Sequence, residues 1–203
     1  MGISVLTKAR SKLSVFIYPF ARRLRNINPN IITLIGLATS FICIPTALYV
    51  GPLATAIAIA ISAYMDALDG AVARLRGQTT KFGAVLDSLC DRIEEIIYVL
   101  SLFLLGLNPV IAIVYLGLAY TVSYLRALGE LRGVRMEGIG LFERAERIIF
   151  IVLLLIIQSV VPNINLGLTT MKIVDLGMII ASGLCLITAL QRVLYIGKKL
   201  SFS

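Results

Sequence analysis

Residues 53–105 read LATAIAIAISAYMDALDGAVARLRGQTTKFGAVLDSLCDRIEEIIYVLSLFLL, two apolar runs joined by a short polar turn, with four aspartates set inside them. The runs, 53–75 and 82–105, each have the roughly 20 residues that a helix needs to cross a bilayer. An Asp at the centre of such a helix costs at least ~2.5–3.5 kcal/mol on insertion scales, so Asp66, Asp69, Asp87 and Asp91 need a reason to be there. Asp66 and Asp69 are three apart and Asp87 and Asp91 four apart, which puts each pair on one face of its helix. Counted from a turn near Gln78, Asp69 lies nine residues before it and Asp87 nine after, Asp66 twelve before and Asp91 thirteen after. An antiparallel hairpin therefore sets Asp69 near Asp87 and Asp66 near Asp91, about 14–20 Å from the turn at ~1.5 Å per residue.

Four carboxylates at such range repel or hold protons unless positive charge sits among them. Two divalent cations would cancel them, and an all-oxygen ligand set suits a hard ion, Mg2+ first and Mn2+ second. The chain has no His, so catalysis or metal binding must rest on such carboxylates. Gly70 stands four from Asp66, Gly83 four from Asp87, and Ala73 close by. Small side chains there leave room for a ligand, or else only let the helices pack closely. Arg74, Arg76 and Lys81 put cations at the mouth, where a phosphate group could rest. Two ions, carboxylates and arginines describe a phosphoryl-transfer site. The competing class is a transporter whose aspartates bind coupling ions or relay protons. Against it, the acids gather toward one face, and the chain has no halves of matching pattern.

Outward from this hairpin the whole chain reads as a membrane protein. Of 203 residues 59% are hydrophobic and 15% charged, with a mean hydropathy of +0.95, against about 45–50% apolar and about 25% charged in a soluble domain. The expectation is an all-α integral membrane fold of six transmembrane helices, near 31–52, 53–75, 82–105, 109–130, 147–162 and 172–196. Asn28-Pro29 and Asn108-Pro109 read as N-cap and N1 proline, and Thr79/Thr80 as the cap of the third span. Gly51-Pro52 and Pro162-Asn163 read as turns. Ahead of the spans, Val15, Phe16, Ile17, Phe20 and Leu24 alternate with basic residues as in an amphipathic juxtamembrane helix on the membrane surface. This gives one domain over 1–203, with 1–28 juxtamembrane and 29–203 the six-helix core.

Eighteen of the nineteen Lys and Arg residues fall on one side of this arrangement, with Lys172 alone opposite. The positive-inside rule then places both termini and the basic loops in the cytoplasm. The net charge of +8 reads as topology and attraction to anionic membrane lipids, and no nucleic-acid partner is expected because no basic stretch stands clear of the membrane. Cys43, Cys90 and Cys185 lie in apolar runs and read as small core residues.

Taken in order, Asp66, Asp69, Gly70, Ala73, Arg74, Gly83, Asp87 and Asp91 spell D-x2-D-G-x2-A-R-x8-G-x3-D-x3-D. This pattern resembles the signature of the CDP-alcohol phosphotransferase family, and the resemblance runs from Pro29-Asn30-Ile31-Ile32-Thr33 to Gln191-Arg192. It implies a homodimeric, multi-pass enzyme of the cell membrane with a cytoplasm-facing site for two divalent cations. It also implies that Asp66, Asp69, Asp87 and Asp91 are metal ligands, with Asp91 also the general base. Asn30, Ile31, Ile32, Thr33, Gly70, Ala73, Arg74 and Thr80 would contact the CDP-activated lipid, and Gly83 would serve helix packing. An acceptor hydroxyl would attack the phosphorus bearing the lipid, and CMP would leave.

A second charged cluster bears on the acceptor. Phe142-Glu143-Arg144-Ala145-Glu146-Arg147, preceded by Ser123-Tyr124-Leu125-Arg126 and Glu130, is similar to the branch that makes phosphatidylinositol phosphate or archaetidylinositol phosphate from inositol 1-phosphate. The resemblance implies an acceptor-phosphate pocket of Arg126, Arg144, Arg147 and Arg192. The plainer reading is that these arginines obey the positive-inside rule or pair with Glu130, Glu143 and Glu146. Where that branch commonly reads R-A-R-A-E, this chain has Arg126-Ala127-Leu128-Gly129-Glu130, which keeps glycerol 3-phosphate or another alcohol open as acceptor.

Overall fold

The computed structural model of the protein describes residues 17–77, 80–165 and 170–201. A helical stretch over 17–23 (α1) is followed by α2 (Pro29–Ser40), α3 (Cys43–Tyr49), α4 (Pro52–Arg76), α5 (Lys81–Leu104), α6 (Pro109–Leu131), α7 (Arg144–Val160) and α8 (Ile173–Leu200). The caps follow the local chemistry. The Asn28 side chain accepts from Asn30 N at 3.0 Å, Asn108 from Val110 N at 2.9 Å and Thr80 from Gly83 N at 2.9 Å, each satisfying a donor that the helix start leaves unpaired. Helix α4 ends on Gly77, whose φ of 61° is left-handed and suits glycine.

Among the described residues, four helical segments are long and apolar enough to cross a membrane: Pro29–Tyr49, Pro52–Arg76, Pro109–Leu131 and Ile173–Leu200. The first is not one straight helix. It breaks between α2 and α3, where Pro45 has no N–H to give to the Phe41 carbonyl, while Thr39 and Ser40 turn their hydroxyls back onto the carbonyls of Gly36 and Leu37.

Helices α5 and α7 complete the bundle but differ in kind. α5 carries Asp87, Asp91, Arg92, Glu94 and Glu95, and α7 has 17 residues. Both are inverted relative to a water-soluble helix: Val85, Leu89, Ile96, Leu100 and Phe103 of α5 point outward, as do Ile149, Leu153, Ile156, Ile157 and Val160 of α7, while Glu94, Glu95 and Arg147 are buried. That is the pattern of a helix whose outer face meets hydrocarbon and whose ionisable groups face the bundle interior.

The loops gather at two ends. At one, Arg76 donates to the Ile27 carbonyl at 2.7 Å, and the segment 132–143 is tied to α8 by Phe142 N, which donates to Thr188 Oγ1 at 3.0 Å. At the other, Asn108 N donates to Asp175 and Lys172 Nζ to the Gly106 carbonyl, both at 2.8 Å. Here the expected simple turn at Pro162-Asn163 is instead the start of a small antiparallel hairpin, β1 (Asn163–Asn165) with β2 (Thr170–Lys172), closed by Ile173 N donating to the Pro162 carbonyl.

Two apolar clusters hold the bundle. The larger joins α3 through α8; the smaller seats Ile17 and Ala21 of α1 on Ile32, Leu68, Ala71 and Val72. Of the apolar residues expected on a surface helix, Ile17 and Leu24 thus pack on α2 and α4, Phe20 stays exposed with its edge against Tyr64, and Val15 and Phe16 lie outside the described residues.

Candidate active site

Helices α4 and α5 do not pack tightly on each other as the expected hairpin would; both lean on α2 and α3, with α7 on α4 and α6 on α5, and across the interior between them ligand atoms of Asp66, Asp87 and Asp91 come within 4.8 Å of one another. Asp69, one turn nearer the α4–α5 connection, is buried and lines a cavity together with Asp87. The four aspartates are thus gathered as the spacing suggested, Asp66 with Asp87 as well as with Asp91, although a close antiparallel pairing of the two helices is not what gathers them.

The cavity has a volume of about 180 Å3 and is walled by Pro29, Asn30 and Thr33 of α2, Asp69, Gly70, Ala73 and Arg74 of α4, and Thr80, Gly83, Ala84 and Asp87 at the start of α5. Absent side chains create this space. A Cβ on Gly83 would stand 3.0 Å from Thr80 Oγ1 and 3.1 Å from Asn30 Oδ1, and one on Gly70 would meet the Arg74 guanidinium at 3.3 Å. Gly83 therefore shapes the cavity and admits the cap of α5 beside Asn30, which favours room for a ligand over helix packing, the two readings that its size allowed. Ile31 and Ile32 do not line it: Ile31 turns outward, and Ile32 is buried against the smaller apolar cluster. On a helix, two residues following Asn30 cannot share its face.

The four acceptor arginines have separate fates. Arg144 reaches into the carboxylates: Nη1 lies 2.5 Å from Asp66 Oδ2 and 2.7 Å from Asp91 Oδ1, and Nη2 donates to Glu94 Oε2 at 2.5 Å. Arg147 is buried in a two-pronged pair with Glu95, at 2.7 and 3.0 Å. Arg192 spends its guanidinium on the carbonyls of Ile139 and Val122 and on Glu143 Oε1, at 2.8, 2.6 and 2.8 Å. Arg126 is half-exposed and pairs with Glu130 at 3.0 Å. The structure thus gathers Arg147 and Arg192 onto buried partners rather than onto an open pocket, because a guanidinium in an apolar interior must be met by carboxylate or carbonyl oxygens.

Glu94 and Glu95 are the site residues that sequence reasoning missed. Both are buried, and Glu94 continues inward to the Tyr98 hydroxyl, 3.4 Å away, which in turn lies 2.9 Å from Ser62 Oγ. The available signal was two adjacent acids inside an apolar run, three and four residues beyond Asp91, and two arginines one helical turn apart at 144 and 147.

The donor set fits hard divalent cations. Of five carboxylates, Asp66, Asp69, Asp87, Asp91 and Glu94, three are met by guanidiniums among the described residues: Asp66, Asp91 and Glu94 by Arg144, and Asp91 also by Arg92, whose Nη1 is 3.3 Å from Asp91 Oδ2. Among the described residues Asp69 Oδ2 is buried with no hydrogen-bond donor, and Asp91 Oδ1 has only the poorly aligned Arg144 Nη1 at 2.7 Å. Uncompensated buried oxygens of this kind are costly unless a cation takes them.

With this geometry in hand, comparison with known proteins is direct. The chain is 38% identical over 173 residues to the archaetidylinositol phosphate synthase of Aeropyrum pernix, covering 85% of this chain and 84% of that one. Its fold is similar to the crystal structure of Mycobacterium tuberculosis phosphatidylinositol phosphate synthase with CDP-DAG bound, with a TM-score of 0.70 and 29% identity over 88% of this chain and 92% of that one. The same enzyme in complex with manganese and citrate also superimposes at 0.70, with 29% identity over 88% and 87% of the two chains. The profile described as CDP-alcohol phosphatidyltransferase matches residues 26–194, spanning every element from α2 through most of α8. The chain with these paired aspartates therefore belongs to the CDP-alcohol phosphatidyltransferase family.

Proposed function

We propose that this protein is a membrane phospholipid synthase that transfers the phosphatidyl-type group of a CDP-activated lipid to inositol 1-phosphate, releasing CMP. The observation that carries this reading is the cavity itself: six of the eight residues of the aspartate pattern, Asp69, Gly70, Ala73, Arg74, Gly83 and Asp87, wall one space that opens beside Asp66 and Asp91. Asp66, Asp69, Asp87 and Asp91 would hold two divalent cations, Mg2+ or Mn2+, which supply charge to bind a diphosphate and to stabilise the leaving CMP. Arg74, Asn30, Thr33 and Thr80 orient the cytidine diphosphate in the cavity. Asp91 takes the proton of the acceptor hydroxyl, whose oxygen then attacks the phosphorus carrying the lipid.

Arg126 and Arg144 are the arginines we assign to the acceptor's phosphate. Arg126 is accessible, and Arg144 lies beside the base. Arg147 and Arg192 support that wall from behind through Glu95 and Glu143. Relatives named for archaetidylinositol phosphate and for phosphatidylinositol phosphate synthesis both support an inositol phosphate acceptor, while they differ in the lipid. We further propose six spans in the cell membrane, with α5 and α7 as the third and fifth, the site and both termini toward the cytoplasm, and assembly as a homodimer. The test is CMP release by the purified protein with CDP-diacylglycerol or CDP-archaeol, Mg2+, and a panel of inositol 1-phosphate, glycerol 3-phosphate, serine and inositol. Turnover confined to glycerol 3-phosphate would reassign the acceptor, and full turnover in EDTA would remove the cations from the reading.

A further inference from the structure

The geometry points to Arg144 as a built-in competitor for the metal site, hinged on Glu94, that must give up Asp66 and Asp91 before divalent cations can take them. This rests on the metal reading of the site proposed above. One edge of the guanidinium, Nη1, bridges Asp66 Oδ2 and Asp91 Oδ1, two of the three carboxylates whose oxygens lie within a single ion's reach. The other edge, Nη2, is held by Glu94, which belongs to no part of the aspartate pattern and is almost fully buried. A guanidinium and a divalent cation cannot occupy the same oxygens, so filling the site costs the Nη1 contacts.

The hold on the aspartates is also incomplete. Asp91 Oδ1 is close to Nη1 but has no aligned hydrogen bond, and Arg144 Nε donates to nothing among the described residues. Arg144 stands at the first residue of α7, where a segment without regular structure precedes it. A first helical residue has no preceding turn of its own helix under its side chain, so Nη1 can leave the aspartates with Nη2 kept on Glu94 and α7 unchanged. Where Arg144 holds Asp66 and Asp91 it offsets carboxylates that would otherwise be buried without counter-charge. On filling, the displaced Nη1 edge becomes available beside the base, still tethered by Glu94. Glu94 is thus a positioning residue that acts through Arg144.

The experiment measures Mn2+ binding directly, by electron paramagnetic resonance of free Mn2+ over purified protein in detergent with no lipid substrate present. Wild type, Arg144→Gln, Glu94→Gln and the double variant are compared, each checked for a monodisperse profile and helical circular dichroism. Arg144→Gln is expected to bind Mn2+ roughly ten- to hundred-fold more tightly than wild type, since charge-assisted contacts no longer have to be broken. Glu94→Gln is expected to bind more weakly, because the guanidinium loses its anchor and settles fully on the aspartates, and this effect should vanish in the Arg144→Gln background. Equal or weaker binding by Arg144→Gln overturns the proposal, as does an undiminished Glu94→Gln effect in the double variant. Arg144→Lys gives a second check: an ammonium lacks the two-edged fork, so its affinity should fall between wild type and Arg144→Gln, and affinity at or below wild type counts against competition. Absence of Mn2+ binding in all of these proteins would instead refute the metal reading of the site, and the proposal with it.

Discussion

Replacing Arg147 by Met separates a load on stability from a role in binding. Arg147 meets Glu95 through Nε at 2.7 Å and Nη2 at 3.0 Å, with relative exposures of 1% and 5% for the two side chains. Once the guanidinium is gone, Glu95 keeps the Tyr115 hydroxyl, 3.4 Å from Oε1, as its one remaining contact of those that the structure gives it. Breaking a buried pair from one side costs about 3–5 kcal/mol, whereas replacing both partners is close to neutral. At about 2–4 °C per kcal/mol for a chain of this size, Arg147→Met should lower the melting temperature by roughly 6–20 °C, and Glu95→Gln combined with Arg147→Met should recover most of it. Circular dichroism in detergent, with cations and lipid held constant, reads both. Acceptor affinity measured below the transition should hardly change in the double variant. A single variant that melts within about 2 °C of wild type while losing its acceptor affinity would refute the structural role and return Arg147 to the phosphate pocket.

Other expectations follow from the same contacts. Asp91→Asn should leave binding of the CDP-lipid intact and remove most CMP release; turnover near wild type would take the base role from Asp91. Gly83→Ala pushes a Cβ onto Thr80 Oγ1 and Asn30 Oδ1, and loss of the cap contact, worth about 1 kcal/mol, should weaken CDP-lipid binding roughly fivefold; unchanged affinity in a titration would show that the cavity tolerates the methyl. Arg126→Gln removes an exposed ion pair of little stabilising value, so its melting temperature should hold while the apparent affinity for inositol 1-phosphate falls roughly ten- to hundred-fold. Cys43, Cys90 and Cys185 are buried, which leaves a clean background for cysteine probes: Glu137 should label from the cytoplasmic face alone and Asn165 from outside alone, and labelling of both from one face would break the six-span topology.

Much of the hairpin was legible because its determinants are local. Nine residues on either side of one turn bring Asp69 and Asp87 to the wall of one cavity, and the caps at Asn28, Thr80 and Asn108 need information from only three residues each. The break in the first span was legible as well, at Pro45, but is easily passed over because the hydropathy runs through it unbroken. What could not be read was which cation meets which acid. Glu94 and Arg144 are 50 residues apart, Glu95 and Arg147 52, Glu143 and Arg192 49, and only the packing of α5, α7 and α8 decides those pairs. Short-range pairing suggested Glu143 and Glu146 as the partners of Arg144 and Arg147, whereas burial sends both arginines across the bundle. The β1–β2 hairpin escaped for a different reason: strands of three residues leave too little periodicity to see.

The inverted character of α5 also sets an order of events at the translocon. Glu94 and Glu95 are made about fifty residues before the arginines that neutralise them, a gap of roughly 3–10 s at about 5–20 residues per second. During that interval Arg92, already engaged with Asp91, leaves Glu94 and Glu95 without their own guanidiniums, so in the six-span arrangement proposed above the outer edge of Val85, Leu89, Ile96, Leu100 and Phe103 would commit to the bilayer before α7 arrives only at full cost. On that arrangement α5 would wait beside the translocon or at the interface, and a variant that slows the synthesis of α7 would lengthen the window in which quality-control proteases see an unfinished helix.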